Sequence, residues 1–161
     1  MKAPAVLLRI TGILLIVPVL TAALLPVALK AAGLETFVVV SDSMVPAVPV
    51  GSLVAVRPVP GGEAHTGDII AFRRGQEVIV HRVAGVSPDG SFITKGDASE
   101  ENDPLGVYPG DIIGREVFIL PSAGRIMEAA GSRAGRIVLI AELAAALVLL
   151  EASHVLTVKK K

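Results

Sequence analysis

The chain has 161 residues, no formal net charge at pH 7 and no cysteine; 52% of its residues are hydrophobic but only 3% are aromatic. The lack of net charge argues against a nucleic-acid-binding protein built on a basic face. The absence of cysteine excludes disulfides, thiolate metal sites and a cysteine nucleophile. The mean hydropathy of +0.69 is high for a soluble globule, and the apolar residues are mainly aliphatic, which is typical of membrane helices.

The first predicted element is an apolar segment at residues 10–29, which is long enough to cross a bilayer as a helix. Lys2 and Arg9 precede it, so the positive-inside tendency predicts that residues 1–9 are cytoplasmic. A cleavable signal peptide ending near Ala31-Ala32 is the alternative interpretation. The apolar region is longer than the roughly 7–15 residues of a signal-peptide core, which favours an uncleaved anchor.

Residues 30–120 have a different pattern, in which short β-branched runs alternate with glycine and proline clusters. The runs predicted as strands are Phe37–Val40, Leu53–Arg57, Asp68–Arg73, Glu77–Val83, Ser91–Thr94 and Asp111–Leu120. Frequent turn signals without helical periodicity predict an all-β sandwich or a barrel-like domain. The predicted fold class is therefore a mainly β domain that follows an N-terminal transmembrane helix.

The last part of the chain contains a connector and a second apolar segment. Residues 121–136 are weakly helical, and residues 137–158 are apolar apart from a few polar positions such as Glu142 and Glu151. A transmembrane helix is the favoured interpretation, with residues 159–161, all lysine, as a cytoplasmic tail. An amphipathic surface helix is the other, because carboxylates are costly in lipid unless they are paired or interfacial.

A candidate nucleophile lies within the stretch Thr36–Arg57. Ser43 stands where a β-branched run gives way to a polar turn closed by Pro46, a position that holds a hydroxyl outward. Ser43 follows Leu29 by 14 residues, so an extended chain keeps it within about 50 Å of the predicted span. Most turn serines only satisfy local backbone groups, so Ser43 needs a base before it becomes a catalytic candidate.

The chain offers three histidines as that base. His154 falls within the second apolar segment, and His65 lies in a glycine-rich loop where a solvated side chain is the simplest interpretation. His81 lies near the end of an otherwise apolar strand, where it is either a half-exposed strand residue or a positioned base.

A third member of the site would be a carboxylate that orients the imidazole. The acidic loop after the fifth predicted strand offers Asp97, Glu100, Glu101 and Asp103. A solvated loop, or a turn closed by Asp97, is the alternative interpretation. Spacing alone does not choose among the four carboxylates.

Four motifs together resemble those of the type I signal peptidases. In chain order they are Ser41-Asp42-Ser43-Met44-Val45-Pro46, Gly67-Asp68-Ile69-Ile70-Ala71-Phe72, Val80-His81-Arg82-Val83, and Lys95-Gly96-Asp97-Ala98 with Asp103. The similarity is to the branch found in archaea, the endoplasmic reticulum and some Gram-positive bacteria, which uses a Ser/His pair. The other bacterial branch has a lysine where this chain has His81. The comparison with that branch makes Lys95 a rival base, but its place before Gly96-Asp97 favours a structural or loop-anchoring role. The resemblance covers roughly residues 38–117.

The resemblance implies a role for each matched residue. Ser43 is the expected nucleophile, and His81 is the expected general base and later the acid. Asp103 is the expected orienting carboxylate, with Asp97 as a second functional or structural aspartate. The hydroxyl of Ser41 is expected to help the Ser43 N–H group bind the oxyanion.

Three positions depart from the family pattern. Asp42 stands where glycine is common, so a negative charge and a Cβ lie beside the nucleophile. Ser52 stands where aspartate is common, and Ser99 stands where asparagine is common.

The resemblance also implies an activity, partners and a location. The expected enzyme is a membrane-bound serine endopeptidase that removes signal peptides on the outer face of the cell membrane and uses no metal and no cofactor. Its expected partners are precursor proteins and membrane lipid, with the secretion translocon as a further candidate and no nucleic acid. The alternatives are a dedicated processing protease for a few surface or matrix proteins, and a non-catalytic, membrane-tethered β module that binds signal helices or partner subunits.

Overall fold

The computed structural model describes residues 3–59 and 63–158. Lys2, residues 60–62 of one predicted proline and glycine cluster, and the predicted cytoplasmic tail at residues 159–161 lie outside the described residues. The chain divides into two compact units, one formed by Ala28–Ile126 and the other by Met1–Val27 together with Met127–Lys161. The first unit is built on a β-sheet, and the second is helical.

The sheet unit contains six strands. They are β1 (Glu35–Val38), β2 (Leu53–Arg57), β3 (Ile69–Arg74), β4 (Glu77–Val86), β5 (Phe92–Lys95) and β6 (Ile112–Leu120). The strands form a single antiparallel sheet in the order β1-β2-β6-β3-β4-β5. Within the described residues, β1 and β5 are therefore the two edges, and β6 is inserted between β2 and β3.

The hairpin between β3 and β4 shows how local sequence sets the register. Arg74 is paired with Glu77, which leaves a two-residue loop of Gly75 and Gln76. Gly75 has a φ of 64°, the sign that a type II′ turn requires at its first central residue. The resulting register pairs Ile70 with His81 and so fixes which face of β4 carries the imidazole.

The core lies on both faces of β3, because successive strand side chains point in opposite directions. Ile69 and Ala71 belong to a cluster that also contains Met44, whereas Ile70 and Phe72 belong to a second cluster with other aliphatic and aromatic residues. The first four residues of β3 are thus buried on both sides, which explains why Ile69–Phe72 is a continuous apolar run rather than an alternating one.

The helical unit is built mainly from two long apolar helices, α1 (Ala3–Ala31) and α3 (Arg133–Val158). Both are long and apolar enough to cross a membrane, since 29 and 26 residues correspond to about 44 Å and 39 Å of helix. They run antiparallel, because the hydroxyl of Ser153 near the end of α3 donates to the carbonyl of Ala5 near the start of α1 at 2.8 Å. A short helix, α2 (Ala123–Gly131), precedes α3.

The predicted mainly β fold with an apolar helix at each end of the chain is confirmed. The strands form one six-stranded sheet, whereas the turn signals predicted a sandwich or a barrel-like domain. Several boundaries differ from prediction: β1 ends at Val38 rather than Val40, and β4 continues to Val86. The weakly helical connector contains α2, and α1 extends beyond the predicted apolar segment in both directions.

Candidate active site

Ser43 lies on a loop between β1 and β2 that is held by backbone hydrogen bonds between its two ends and by a buried side chain next to Ser43. Val39 donates its N–H to Ser52 at 3.0 Å and accepts from Gly51 at 2.7 Å, so the two ends of the loop are joined. Met44, directly after Ser43, is 1% exposed within the core. A buried side chain next to an outward-facing one fixes the backbone, and this holds the Ser43 hydroxyl in one position.

His81 lies on β4, where its imidazole faces Ser43. Its Nε2 atom is 3.1 Å from the Ser43 Oγ atom, although 38 residues separate them in sequence. The edge of the ring meets Phe72 on the neighbouring strand, with ring centroids 6.4 Å apart and an interplanar angle of 68°. The side chain is only 12% exposed, so packing restricts its rotation and preserves the contact with the hydroxyl.

Asp103 completes a continuous chain of hydrogen-bond contacts. Its Oδ2 atom is 2.7 Å from the Nδ1 atom of His81 and also accepts a 2.6 Å hydrogen bond from the hydroxyl of Thr94. Because an ionised carboxylate can only accept, Nδ1 of His81 carries the proton and Nε2 presents its lone pair to Ser43. This tautomer is the one that a general base requires.

Asp97 does not contact His81 but forms a bidentate ion pair with Arg82, the residue after His81. The Nε atom of Arg82 donates to Asp97 Oδ1 at 2.8 Å, and a terminal nitrogen donates to Oδ2 at 2.6 Å. The hydrogen bond from Arg82 is the main reason that the pKa of Asp97 lies below its ordinary value of 3.8, and burial opposes it. The same hydrogen bond raises the pKa of Arg82, which remains charged.

The loop that carries Asp97 also contacts the backbone of the candidate nucleophile. Ala98 donates its N–H to the carbonyl of Ser43 at 2.9 Å. A Cβ atom added to Gly96 would lie 2.5 Å from that carbonyl oxygen and 3.2 Å from His81 Nε2. Gly96 is thus required for this close approach, and the Arg82–Asp97 pair holds the loop that supports Ser43.

Ser41 lies beside Ser43 at the exposed rim of the site. The two hydroxyl oxygens are 3.2 Å apart. Among the residues that the structure describes, no acceptor is hydrogen-bonded to the Ser43 N–H group. The Ser43 N–H group is therefore a free donor beside the candidate nucleophile. The Ser41 hydroxyl donates to the Ser43 oxygen when the Ser43 proton faces His81.

The rival candidates from the sequence lie elsewhere. His65 is 76% exposed and faces Asp68 at 3.7 Å, and His154 belongs to α3 in the helical unit. The ammonium group of Lys95 donates to the backbone carbonyl of Glu100 at 3.1 Å rather than to Ser43. Within residues 3–59 and 63–158, no group of three or more metal-ligating side chains is found.

Two residues that support the site were not singled out from the sequence. Thr94 is fully buried and donates to Asp103, and the Asp103 N–H group returns a 2.8 Å hydrogen bond to the Thr94 carbonyl. Arg82 directly follows the candidate base but had no assigned partner. Thr94 occupies a buried strand position, and Arg82 lies in a mainly apolar strand between His81 and Val83. Polar groups in such positions need a partner, and that need was the available signal.

Part of the chain is similar to a known family of peptidases. Residues 28–94 match a family model described as Peptidase S24-like. The matched range contains Ser43 and His81 and ends before Asp97 and Asp103, and it covers less than half of the chain. It supports a relationship to the S24/S26 peptidases and hence a serine peptidase-type function. No curated protein matches the chain.

Proposed function

We propose that the protein is a membrane-bound serine endopeptidase that removes signal peptides from exported precursor proteins. The observation that carries this proposal is the unbroken path of contacts from Ser43 Oγ through His81 to Asp103, at 3.1 Å and 2.7 Å. A nucleophile within reach of a base, with the base oriented by a third group, is the arrangement by which serine becomes reactive.

The proposed reaction begins when the Ser43 oxygen attacks the carbonyl carbon of the scissile peptide bond. His81 takes the hydroxyl proton on Nε2, and the negative charge of Asp103 stabilises the resulting imidazolium. The carbonyl oxygen becomes an oxyanion that accepts hydrogen bonds from the Ser43 N–H and Ser41 hydroxyl groups. The imidazolium then gives its proton to the leaving amine, and an acyl-enzyme remains.

Hydrolysis of the acyl-enzyme repeats these steps with water in place of the serine. His81 removes a proton from the water as it attacks the ester carbonyl, and the proton is then returned to the Ser43 oxygen. The new carboxyl terminus leaves, and the enzyme regains its starting protonation state. Every proton transferred in the cycle passes through Nε2 of His81, while Nδ1 stays bound to Asp103.

The proposed substrate and location rest on the apolar helices together with the resemblance to signal peptidases. Only residues 32–34 separate the end of α1 from β1. If α1 crosses the membrane, this short connection tethers the sheet unit near the lipid, where an anchored signal peptide presents its cleavage site. The positive-inside tendency of Arg9 orients the sheet unit toward the outside. Val40 and Val45 are exposed close to Ser43 in sequence and suit small apolar side chains of a substrate.

The test is cleavage of purified precursors by the full chain in detergent or liposomes. Wild-type protein is expected to release the signal peptide, whereas Ser43→Ala and His81→Ala are each expected to lose about 10³-fold or more in kcat. His65→Ala is the matched control and is expected to retain activity. Activity retained in Ser43→Ala would overturn the serine peptidase proposal.

A panel of unrelated precursors tests the breadth of the activity. The S24 group also includes repressors of the LexA type, so similarity to its family model does not by itself specify a secreted substrate. Cleavage of most precursors at their signal-peptide junction would support general signal-peptide removal. Cleavage of one or two would favour a dedicated processing protease. If no precursor is cleaved and a serine-reactive probe does not label Ser43, a binding module is favoured.

A further inference from the structure

A cavity with a mainly apolar surface lies between α1 and α3 in the helical unit, remote in sequence from the candidate active site. Its volume is about 350 Å³, at the lower end of the range of small-molecule sites. The cavity is lined by Arg9, Leu150, Ser153, His154 and Thr157. All but one of these side chains are polar, although they belong to two mainly apolar helices.

Helical spacing explains how these side chains come to one place. Leu150, Ser153, His154 and Thr157 follow the i, i+3, i+4, i+7 pattern that defines one face of a helix. On α1, Arg9 lies four residues after Ala5, so both lie on the face that meets α3. The hydrogen bond from Ser153 to the Ala5 carbonyl fixes this pairing at 2.8 Å.

The helices are in close contact beside the cavity. A Cβ atom added to Gly12 would lie 3.0 Å from the side chain of Leu150, so glycine allows the backbones to approach. Arg9 lies one turn before Gly12 on the same face, and its long side chain lines the cavity.

The charge of the cavity favours an anion. Arg9 is permanently charged, and among the residues that the structure describes no carboxylate lies within ion-pair distance of it. The hydroxyls of Ser153 and Thr157 already donate to backbone carbonyls at 2.8 Å each. The guanidinium of Arg9 and the ring of His154 are therefore the groups that remain to bind a ligand.

The depth of the cavity specifies where that anion would lie in a membrane. Arg9 is six residues from the start of α1, and His154 is four residues from the end of α3. At 1.5 Å per residue both lie within about 9 Å of the same end of the antiparallel pair. A helix of about 44 Å exceeds the hydrocarbon core of about 30 Å, so this end reaches the headgroup region.

We propose that this cavity binds a phosphate group, with the headgroup of an anionic phospholipid as its source; the inference rests on the proposed membrane location of α1 and α3. The guanidinium of Arg9 donates two parallel hydrogen bonds to the phosphate oxygens. His154 donates a third, and Leu150 provides an apolar wall toward the acyl chains. Basic cavities between transmembrane helices are suited to this class of ligand.

Native mass spectrometry of the full chain in detergent tests the proposal. The Ser43→Ala variant is used throughout, so that the result does not depend on peptidase activity. Phosphatidylglycerol is expected to remain bound at least about tenfold more strongly than zwitterionic phosphatidylcholine. Equal retention of the two lipids would overturn the proposal.

Variants locate the binding. Arg9→Gln is expected to weaken phosphatidylglycerol binding about tenfold, because it removes the charge and the bidentate geometry. Arg136→Gln removes one cation from the opposite end of α3 and is the matched control, with binding expected to be unchanged. Equal losses in the two variants would mean that phosphatidylglycerol binds through general charge, and this would contradict the site.

A second variant and a second ligand complete the test. His154→Gln is expected to weaken phosphatidylglycerol binding about threefold. If circular dichroism shows that Arg9→Gln is unfolded, His154→Gln decides the outcome, and unchanged binding in it would overturn the proposal.

Inorganic phosphate is added as a competitor. If millimolar phosphate leaves the lipid bound, the source is the lipid headgroup. If phosphate displaces it from wild-type but not from Arg9→Gln protein, the site binds free phosphate.

Discussion

The Nδ1 atom of His81 lies 2.7 Å from Oδ2 of Asp103, across 22 residues of sequence. Asp97, which is nearer to His81 in sequence, instead forms the ion pair with Arg82. Two aspartates of one acidic loop therefore have different surroundings: Asp103 faces the imidazole, and Asp97 holds the loop. The following predictions test this division.

Replacing Asp103 by Asn is expected to lower kcat for precursor cleavage by about 10³–10⁴-fold with little change in folding. The amide no longer stabilises the imidazolium, and its NH₂ group can select the tautomer that presents a proton to Ser43. The measurement is steady-state kinetics with a precursor substrate. Glu100→Gln, which removes a carboxylate from the same loop, is the control and should behave as wild type. A larger loss of turnover in Asp97→Asn than in Asp103→Asn would exchange the two assignments.

The hydroxyl of Thr94 is expected to position Asp103. Thr94→Val keeps the shape of the buried side chain but removes the 2.6 Å hydrogen bond to Oδ2, so the carboxylate loses one of its two side-chain donors. We expect kcat to fall about tenfold with KM nearly unchanged. Thr94→Ser retains the hydroxyl and should recover most of the turnover. A similar loss in both variants would indicate that packing, rather than the hydrogen bond, is responsible.

Gly96→Ala is expected to impair the site by displacing Ser43. The added methyl group would lie 2.5 Å from the Ser43 carbonyl oxygen, so either the loop or the serine backbone must move. A misplacement of about 1 Å can cost about 10²-fold in rate. The matched control is Gly85→Ala on β4, where nothing lies within 4 Å of the added atom. Kinetics together with thermal unfolding would distinguish a displaced site from a destabilised fold, and wild-type turnover in Gly96→Ala would contradict the close approach.

The Arg82–Asp97 pair is expected to make stability depend on pH. Because the pKa of Asp97 is lowered in the folded state from 3.8, its stabilising contribution is complete above that value and is lost as pH falls through the lower folded-state pKa. At neutral pH, Asp97→Asn is expected to reduce the free energy of unfolding by about 1 kcal/mol. Urea unfolding at several pH values should show the difference from wild type disappearing in acid. A difference that persists unchanged well below pH 3.8 would refute the ionic origin.

The sequence alone was sufficient for the elements whose signal is local. Hydropathy indicated both apolar helices, because a mainly apolar run of about 20 residues is what a helix needs to cross a bilayer. β-branched runs between glycine and proline clusters identified six strands, with Leu53–Arg57 matching β2 at both ends. Local position made Ser43 and His81 candidates, and the resemblance in four motifs implied the role of each; their catalytic roles stay proposals.

Only the tertiary structure decided which side chains meet. Two hydrogen bonds join Asp103, at the end of the acidic loop, to Thr94 on β5. Asp103 therefore lies against His81 although Asp97 is nearer in sequence. The insertion of β6 between β2 and β3 was equally hidden, because strand order depends on pairing between distant segments. Periodicity and spacing describe neighbours along the chain, whereas a catalytic geometry depends on contacts across it. The contribution of Thr94 and Arg82 to the site therefore emerged only from the folded chain.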